Sequence, residues 1–128
     1  MLSPTHDLAE HAFVMPEDLV QETLIAYPVE AKRLDIIAKF MTPANASFKK
    51  MRTTELTAML IQLVASERGV AALPDWVVAE YEKKGWVVSR PLGNGVHCQL
   101  YAATRTASND TAFMQGFANL LEGIAKPV

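Results

Sequence analysis

Cysteine is almost missing from this chain: Cys98 stands alone among 128 residues. One thiol excludes a disulfide framework and any multi-cysteine zinc site, and it suits a reducing compartment. Neither sign of charge dominates, since 12 Lys and Arg oppose 14 Asp and Glu for a formal net charge of −2. That balance lacks the basic surface needed to grip phosphate backbones. Long hydrophobic runs are missing as well. The longest uncharged apolar-rich stretch, Leu56 to Ser66, falls far short of the ~20 residues of a membrane helix, so no membrane partner is expected. Pro4, His6, Asp7 and Glu10 argue against a secretory signal at the start. Internal repeats, low-complexity tracts and clear linkers are also lacking. What is present is 50% hydrophobic and only 20% charged, too apolar for a disordered tail and long enough to bury a core. A globular, cytoplasmic chain is expected, of a role that composition leaves open.

Periodicity predicts several helices. In Glu55–Arg68 the residues Leu56, Met59, Leu60, Leu63 and Val64 fall on one face, with Thr53 or Thr54 as the cap and Gly69 as the left-handed stop. Asp110–Ile124 repeats the pattern through Phe113, Phe117, Leu120, Leu121 and Ile124. A third helix is predicted from about Glu30 to Met41, turning Leu34, Ile37, Ala38 and Met41 inward and ended by Thr42-Pro43. Shorter helical turns are expected at Pro16–Val20 and around Val78–Lys84. Segments of strand length lie between them: Thr23–Tyr27, Phe48–Thr53, Val70–Leu73, Trp86–Ser89 and Gln99–Thr104. Strand and helix alternating at this spacing predict an α/β fold with a mostly parallel sheet flanked by helices. Gly93-Asn94-Gly95 reads as a turn joining the last two strands in a hairpin.

Residue types that carry chemistry do not converge. His6, His11 and His97 lack metal-pair spacing, so they read as exposed polar residues and no metal is expected. His97 and Cys98 are adjacent in a predicted strand and would point to opposite faces, which disfavours a thiolate–imidazole pair. Cys98 then reads as a small buried hydrophobe. No dinucleotide fingerprint, phosphate loop or nucleophile elbow occurs, so neither catalytic residues nor a cofactor are expected. Asp18, Glu22, Glu30 and Asp35 are scattered, and Lys49, Lys50 and Arg52 form a small basic cluster on a predicted strand.

Ligands of open α/β sheets bind at the carboxyl ends of strands. Three such ends can be read here: Tyr27-Pro28-Val29-Glu30, Thr53-Thr54-Glu55 and Pro74-Asp75-Trp76. Tyr27, Thr53, Thr54, Thr57 and Trp76 would rim a pocket for a small amphiphilic ligand, and the helix N-terminus after Thr54 offers free amides to an anionic group. The plain alternative is that Thr53 and Thr54 are caps and Trp76 a core aromatic.

The stretch from Leu60 to Pro74, in which a helix ends at a Gly and an apolar strand ends in Leu-Pro, resembles the hallmark segment of LysR-type transcriptional regulators. Tyr27-Pro28-Val29, Arg33-Leu34-Asp35 and Pro74-x-Trp76-Val77-Val78 are similar to a methionine-pathway branch of that family. The resemblance runs from about Leu2 to Thr106. It implies one lobe of a periplasmic-binding-protein-like (type 2) effector module, with residues 1–12 crossing from another lobe. Residues 13–100 would form the second regulatory lobe, and 101–128 a return strand and a helix packing toward the first. The implied effector is homocysteine or a related amino acid, bound between lobes by Tyr27, Pro28, Val29, Thr53, Thr54, Thr57 and Trp76. Arg33 is read either as a carboxylate partner or as an exposed helix residue.

The family's way of pairing copies implies a homo-oligomer whose interface here would use Arg33, Ile36, Ile37, Phe40, Phe48, Lys50 and Arg52. DNA would be reached only through a domain outside this sequence. The alternatives are a solute-binding protein of the same fold, an interaction module, and a small enzyme using Cys98 or Asp75.

Overall fold

The computed structural model describes residues 1–99, 101, 103, 105 and 111–124. Two parallel strands frame the larger of its two units, Met1–Val96. Strand β1 (Thr23–Ala26) pairs with β2 (Lys50–Thr53) in the register Thr23↔Lys50 through Ala26↔Thr53. The predicted strands at Val70–Leu73 and Trp86–Ser89 shrink to single bridging residues. Val70 lies parallel to Leu24, and Val88 antiparallel to Leu2. Met1 and Ala71 exchange both backbone hydrogen bonds, at 2.9 and 3.2 Å, the signature of an antiparallel pair. The order across the sheet is thus β2, β1, Val70-Ala71, Met1-Leu2 and Val88.

Alternation along β1 explains why both faces of this sheet are covered. Leu24 and Ala26 enter one core with Leu2, Val14, Leu19, Ile36, Met41 and Val70. Ile25 points to the opposite face and joins Leu60, Ile61, Val64, Ala71, Val78 and Val87. A strand buried on both faces needs a continuous apolar run, and TLIA supplies it. Each fully buried aliphatic side chain here contributes roughly 1.5–3 kcal/mol of transfer free energy.

Helix α1 (Thr57–Ala65) is shorter than predicted and rotated from its expected face. Leu60, Ile61 and Val64 are buried, whereas Leu56 and Met59 are 66% and 50% exposed. Its run is apolar on nearly every side, so periodicity alone could not set the phase. The cap is Leu56 and makes no side-chain bond, so neither Thr53 nor Thr54 caps the helix. The stop is not Gly69 either. Glu67 adopts φ +57°, with Arg68 N–H donating to Leu63 O at 2.9 Å and Glu67 N–H to Val64 O at 3.0 Å, the paired bonds of a Schellman end. Gly69 serves the sheet instead. A Cβ there would lie 2.3 Å from Thr23 O, the oxygen that accepts from Val70 N–H at 2.9 Å.

Helix α2 spans Asp75–Lys83 and starts earlier than expected, with Pro74 at the cap position and the Asp75 carboxylate accepting from Trp76 N–H at 2.7 Å. The predicted helix at Glu30–Met41 is replaced by a 3₁₀ turn at Ala31–Arg33, extended backbone at Leu34, a π-helix at Ile36–Met41 and a second 3₁₀ turn at Thr42–Ala44. The wider π turn, closed by i→i+5 bonds, leaves Ala38 exposed while Phe40 packs against the core with Leu34 and Ile37. An aromatic ring thereby takes the place that an α-helix would have assigned to one methyl group. The turn at Pro16–Leu19 is present, as 3₁₀.

Among the described residues no hairpin strand follows Gly93-Asn94-Gly95. Leu92 bridges in parallel to Val14, and Gly93 N–H donates to Val14 O at 2.9 Å, although Gly95 N–H does close a turn onto Leu92 O. In the second unit, His97–Val128, the described residues of Gln99–Thr104 are not in a strand, and Leu100, Ala102 and Thr104 lie outside the described residues. Cys98 is exposed there, against the expectation of burial, and the described residues beside it are not in a strand. Helix α3 (Ala112–Ile124) is present and amphipathic, with Phe113, Phe117 and Leu120 more than half exposed. No helix among the described residues is long and apolar enough to cross a membrane.

Candidate functional site

The carboxyl ends of β1, β2 and the Val70-Ala71 segment open on the same edge of the sheet, because all three run parallel. Thr54 N–H donates to Ala26 O at 3.0 Å, which carries the ladder one step past β2 and fixes the two exits side by side. From β1 the chain passes to Tyr27, half-buried against the second core. Its phenol and the Thr57 hydroxyl are 2.6 Å apart. Thr57 is the first residue of α1, so this bond ties the exit of β1 to a helix N-terminus. With no side-chain cap at Leu56, the first-turn amides of α1 carry the helix's partial positive charge outward. The Val70-Ala71 exit leads through half-buried Leu73 and Pro74 into α2.

The sequence-predicted residues separate into two groups here. Tyr27 and Thr57 meet directly, and Thr54 is held beside them by the ladder. Pro28 and Val29 follow in a tight turn closed by Val29 N–H to Tyr27 O at 2.8 Å, both exposed. Thr53 is exposed on the edge strand. Trp76 is 64% exposed, which excludes the core reading for it. Arg33 is exposed in the 3₁₀ turn, and among the described residues no hydrogen bond joins its side chain to the Tyr27–Thr57 pair.

Of the residues assigned to an interface, Lys50 and Arg52 are exposed, whereas Ile37, Phe40 and Phe48 pack on the first core. Ile36 is 6% exposed and belongs to that core, so its side chain is spent on packing within one copy. Asp75, read from the sequence as part of a strand exit and as a residue of the enzyme alternative, instead opens α2 and accepts from Trp76 N–H. A carboxylate directly after a proline at the start of a helical pattern is the signal that marks it.

Among the described residues, Met1 has its proton affinity shifted by its surroundings. Burial of its amino group, opposed by the nearby Glu82 carboxylate, lowers its pKa from 8.0 to about 6. Glu82 is engaged further along the chain, where its Oε1 accepts from Ser89 Oγ at 2.7 Å and from Ser89 N–H at 2.5 Å. No cluster of three metal-ligating side chains occurs among the described residues.

Residues 1–125 match the family described as LysR substrate binding domain. The HTH-type transcriptional regulator MetR of Salmonella typhimurium is 43% identical over 117 residues, which is 91% of this chain and 37% of that protein. The MetR of Escherichia coli K12 is 42% identical over the same shares, and that of Haemophilus influenzae 39% identical over 116 residues. The chain therefore spans somewhat more than a third of the curated relatives it matches. Among solved structures, the regulatory domain of the LysR-family MetR of N. meningitidis superposes with a TM-score of 0.82 at 41% identity, covering 95% of this chain and 56% of that one. The expected α/β class, a parallel-sheet lobe of the type 2 periplasmic-binding-protein kind, is the fold of this chain. On the strength of a family match over 1–125, the chain belongs to the LysR substrate binding domain family.

Proposed function

We propose that this chain is part of the effector-sensing region of a transcription regulator, and that it reads a small amino-acid-like ligand at the Tyr27–Thr57 edge. The observation that carries the reading is the meeting of three parallel strand exits at an uncapped helix start, with the Tyr27 and Thr57 hydroxyls 2.6 Å apart. Such an edge suits a ligand bearing a carboxylate and a short apolar side chain. The amides of α1 and the two hydroxyls would receive the carboxylate, and exposed Pro28, Val29 and Trp76 would flank the apolar part. Homocysteine as that ligand, with control of methionine-pathway genes as its consequence, is the reading that the resemblance of Tyr27-Pro28-Val29, Arg33-Leu34-Asp35 and Pro74-x-Trp76-Val77-Val78 implies. The relatives that the chain matches are transcriptional regulators. The work is binding, not covalent chemistry.

In this reading residues 1–12 cross from a first lobe, 13–100 form the second lobe, and 101–128 return to the first. The apolar face of α3, with Phe113, Phe117 and Leu120 exposed, would be covered by that first lobe, consistent with this chain covering 56% of a related regulatory domain. A ligand touching both lobes would favour their closed arrangement only by its difference in affinity between arrangements. Copies would associate through the exposed edge of β2, where Lys50 and Arg52 stand, and DNA would be contacted by another part of the regulator.

Calorimetry with homocysteine on this chain and on the complete two-lobed module tests the reading. Binding by the complete module, weakened about tenfold by Tyr27→Phe for the loss of one ligand-directed hydroxyl, is the expected result. Absence of binding by either protein would overturn the ligand. A solute-binding protein is the second reading, and homocysteine that binds the complete regulator without changing its affinity for promoter DNA would favour it.

A further inference from the structure

We infer that the segment Leu34–Thr42 is a two-register switch, able to pass between the π-helix observed and an α-helix, and that the change moves the loop leading to Tyr27. The inference does not depend on the ligand assigned above. It begins with the sequence, which carries two apolar faces at once. Leu34, Ile37, Ala38 and Met41 stand at the offsets of an α-helical face. The structure keeps Leu34, Ile37 and Met41 of that face on the first core, adds Ile36 and Phe40 to it, and leaves Ala38 exposed. Either register therefore buries an apolar surface, and few other residues of the segment would be forced to move polar groups inward.

The hydrogen bonds record both registers within one turn. Ala38 N–H donates to Leu34 O at 2.9 Å, an α-type bond, whereas Thr42 N–H donates to Ile37 O, a π-type bond. Asp35 and Lys39 form an i,i+4 ion pair at 3.1 Å, the spacing natural to an α-helix. The π register thus starts from an α turn and widens after it.

Packing around Ile36 is also incomplete. It lines a cavity of about 20 Å³ together with Leu2, Val14, Leu19, Arg90 and Leu92, so the first residue of the π-helix is not locked by neighbours on every side. What favours the observed register is Phe40, whose ring lies 3.4 Å from where a Cβ on Gly93 would be.

The two ends of the segment differ in freedom. Pro43 holds its φ by its ring, and Ala46 N–H donates to Met41 O at 3.0 Å, so the C-terminal end is clamped. At the other end Leu34 is extended (φ −88°, ψ 113°) and follows a single 3₁₀ turn. Slack released or taken up by a change of register passes toward Pro28–Arg33, the stretch that joins the switch to Tyr27.

Two variants and one measurement test this. Through-hydrogen-bond scalar couplings identify the carbonyl that accepts from Thr42 N–H, and relaxation dispersion reports millisecond exchange. In the native sequence the coupling is expected to Ile37, with exchange confined to residues 28–46. Phe40→Ala removes the ring that holds the π register, and the coupling should move to Ala38. Deleting Ala38 places Ile36, Phe40 and Met41 at α-helical offsets of 0, 3 and 4, so the chain should stay folded, lose the exchange and show only α-type couplings. Native exchange absent together with an unmoved coupling in Phe40→Ala overturns the inference. So does exchange that survives the Ala38 deletion. If Phe40→Ala does not fold, the deletion variant decides alone.

Discussion

Two crossovers leave parallel strands of the same sheet and solve the same problem with unlike materials. From β2 to Val70 the chain uses a regular helix, α1, closed by a Schellman end. From β1 to β2 it uses two 3₁₀ turns and a π-helix. The first buries Leu60, Ile61 and Val64 at 1%, 0% and 0% exposure, while the second buries only Ile36 and Met41 fully. Depth of packing accompanies regularity here. A helix whose apolar stripe meets a flat sheet face at full depth keeps its ideal period, and a segment with two competing stripes settles into a compromise. The rigid crossover sets the frame, and the compromised one adjoins Tyr27, where adjustment is useful.

The largest test of this contrast lies at Gly69, where the rigid crossover rejoins the sheet. Gly69→Ala puts a Cβ 2.3 Å from Thr23 O at φ +152°. The variant must give up the Val70 N–H to Thr23 O bond or distort the backbone, and it should lose about 3 kcal/mol or more of stability. Urea denaturation measures it, and a loss under about 1 kcal/mol would show that the junction yields. Next come paired truncations of leucines. Leu60→Ala, in a site with 1% exposure, is expected to cost about 3 kcal/mol. Leu34→Ala, in the looser crossover and only partly buried, should cost about 1 kcal/mol. Equal losses would erase the distinction.

How much of this was legible beforehand depends on the element. The alternation that sends Leu24 and Ile25 to opposite cores follows directly from an apolar run at strand spacing, and the strand exits at Tyr27, Thr54 and Pro74 follow from it. The phase of α1 did not follow, because Leu56 and Met59 are as hydrophobic as the Ile61 that displaced them from the core. The π-helix was hidden for a related reason. Leu34, Ile37, Ala38 and Met41 make a valid α stripe, of which the wider turn keeps all but Ala38 on the core while adding Ile36 and the Phe40 ring. Gly69 was noticed as a helix stop while its actual task, giving Thr23 O its clearance, depends on a strand 46 positions earlier. Of the candidate site, Tyr27 and Thr57 were both named, but their mutual bond is a tertiary fact.

A third test concerns the sheet edge beyond the rigid crossover, where Met1 pairs with Ala71. In a chain whose Met1 carries a free amino group, burial lowers its pKa from 8.0 to about 6. Above pH 8 the amine is neutral in both the folded and unfolded states, and no penalty applies. Between pH 8 and 6 the unfolded chain binds more protons, so stability falls as pH falls. Below about pH 6 both states are charged and the full loss, about 2–3 kcal/mol, is reached. Acetylating Met1 keeps its N–H for Ala71 O and removes the titration. The difference in urea midpoint between acetylated and free chains should therefore grow from pH 8 to pH 6. A constant difference would mean that the ammonium finds water at this edge.

The smallest effect sits at the end of α1, where regularity meets a strained residue. Glu67 occupies φ +57° although it is neither Gly nor Asn, a conformation that disfavours a Cβ by roughly 1–2 kcal/mol. Its carboxylate accepts from the Thr5 hydroxyl on the surface, a contact worth about 0.5–1 kcal/mol at such exposure. Glu67→Ala keeps the strain and loses the contact, so it should destabilise by about 0.5–1 kcal/mol. Glu67→Gly loses the contact but relieves the strain, and should lie about 1 kcal/mol above Glu67→Ala, near the native chain. If Ala and Gly at this position prove equally stable, the Schellman end does not carry the strain that its backbone angle implies.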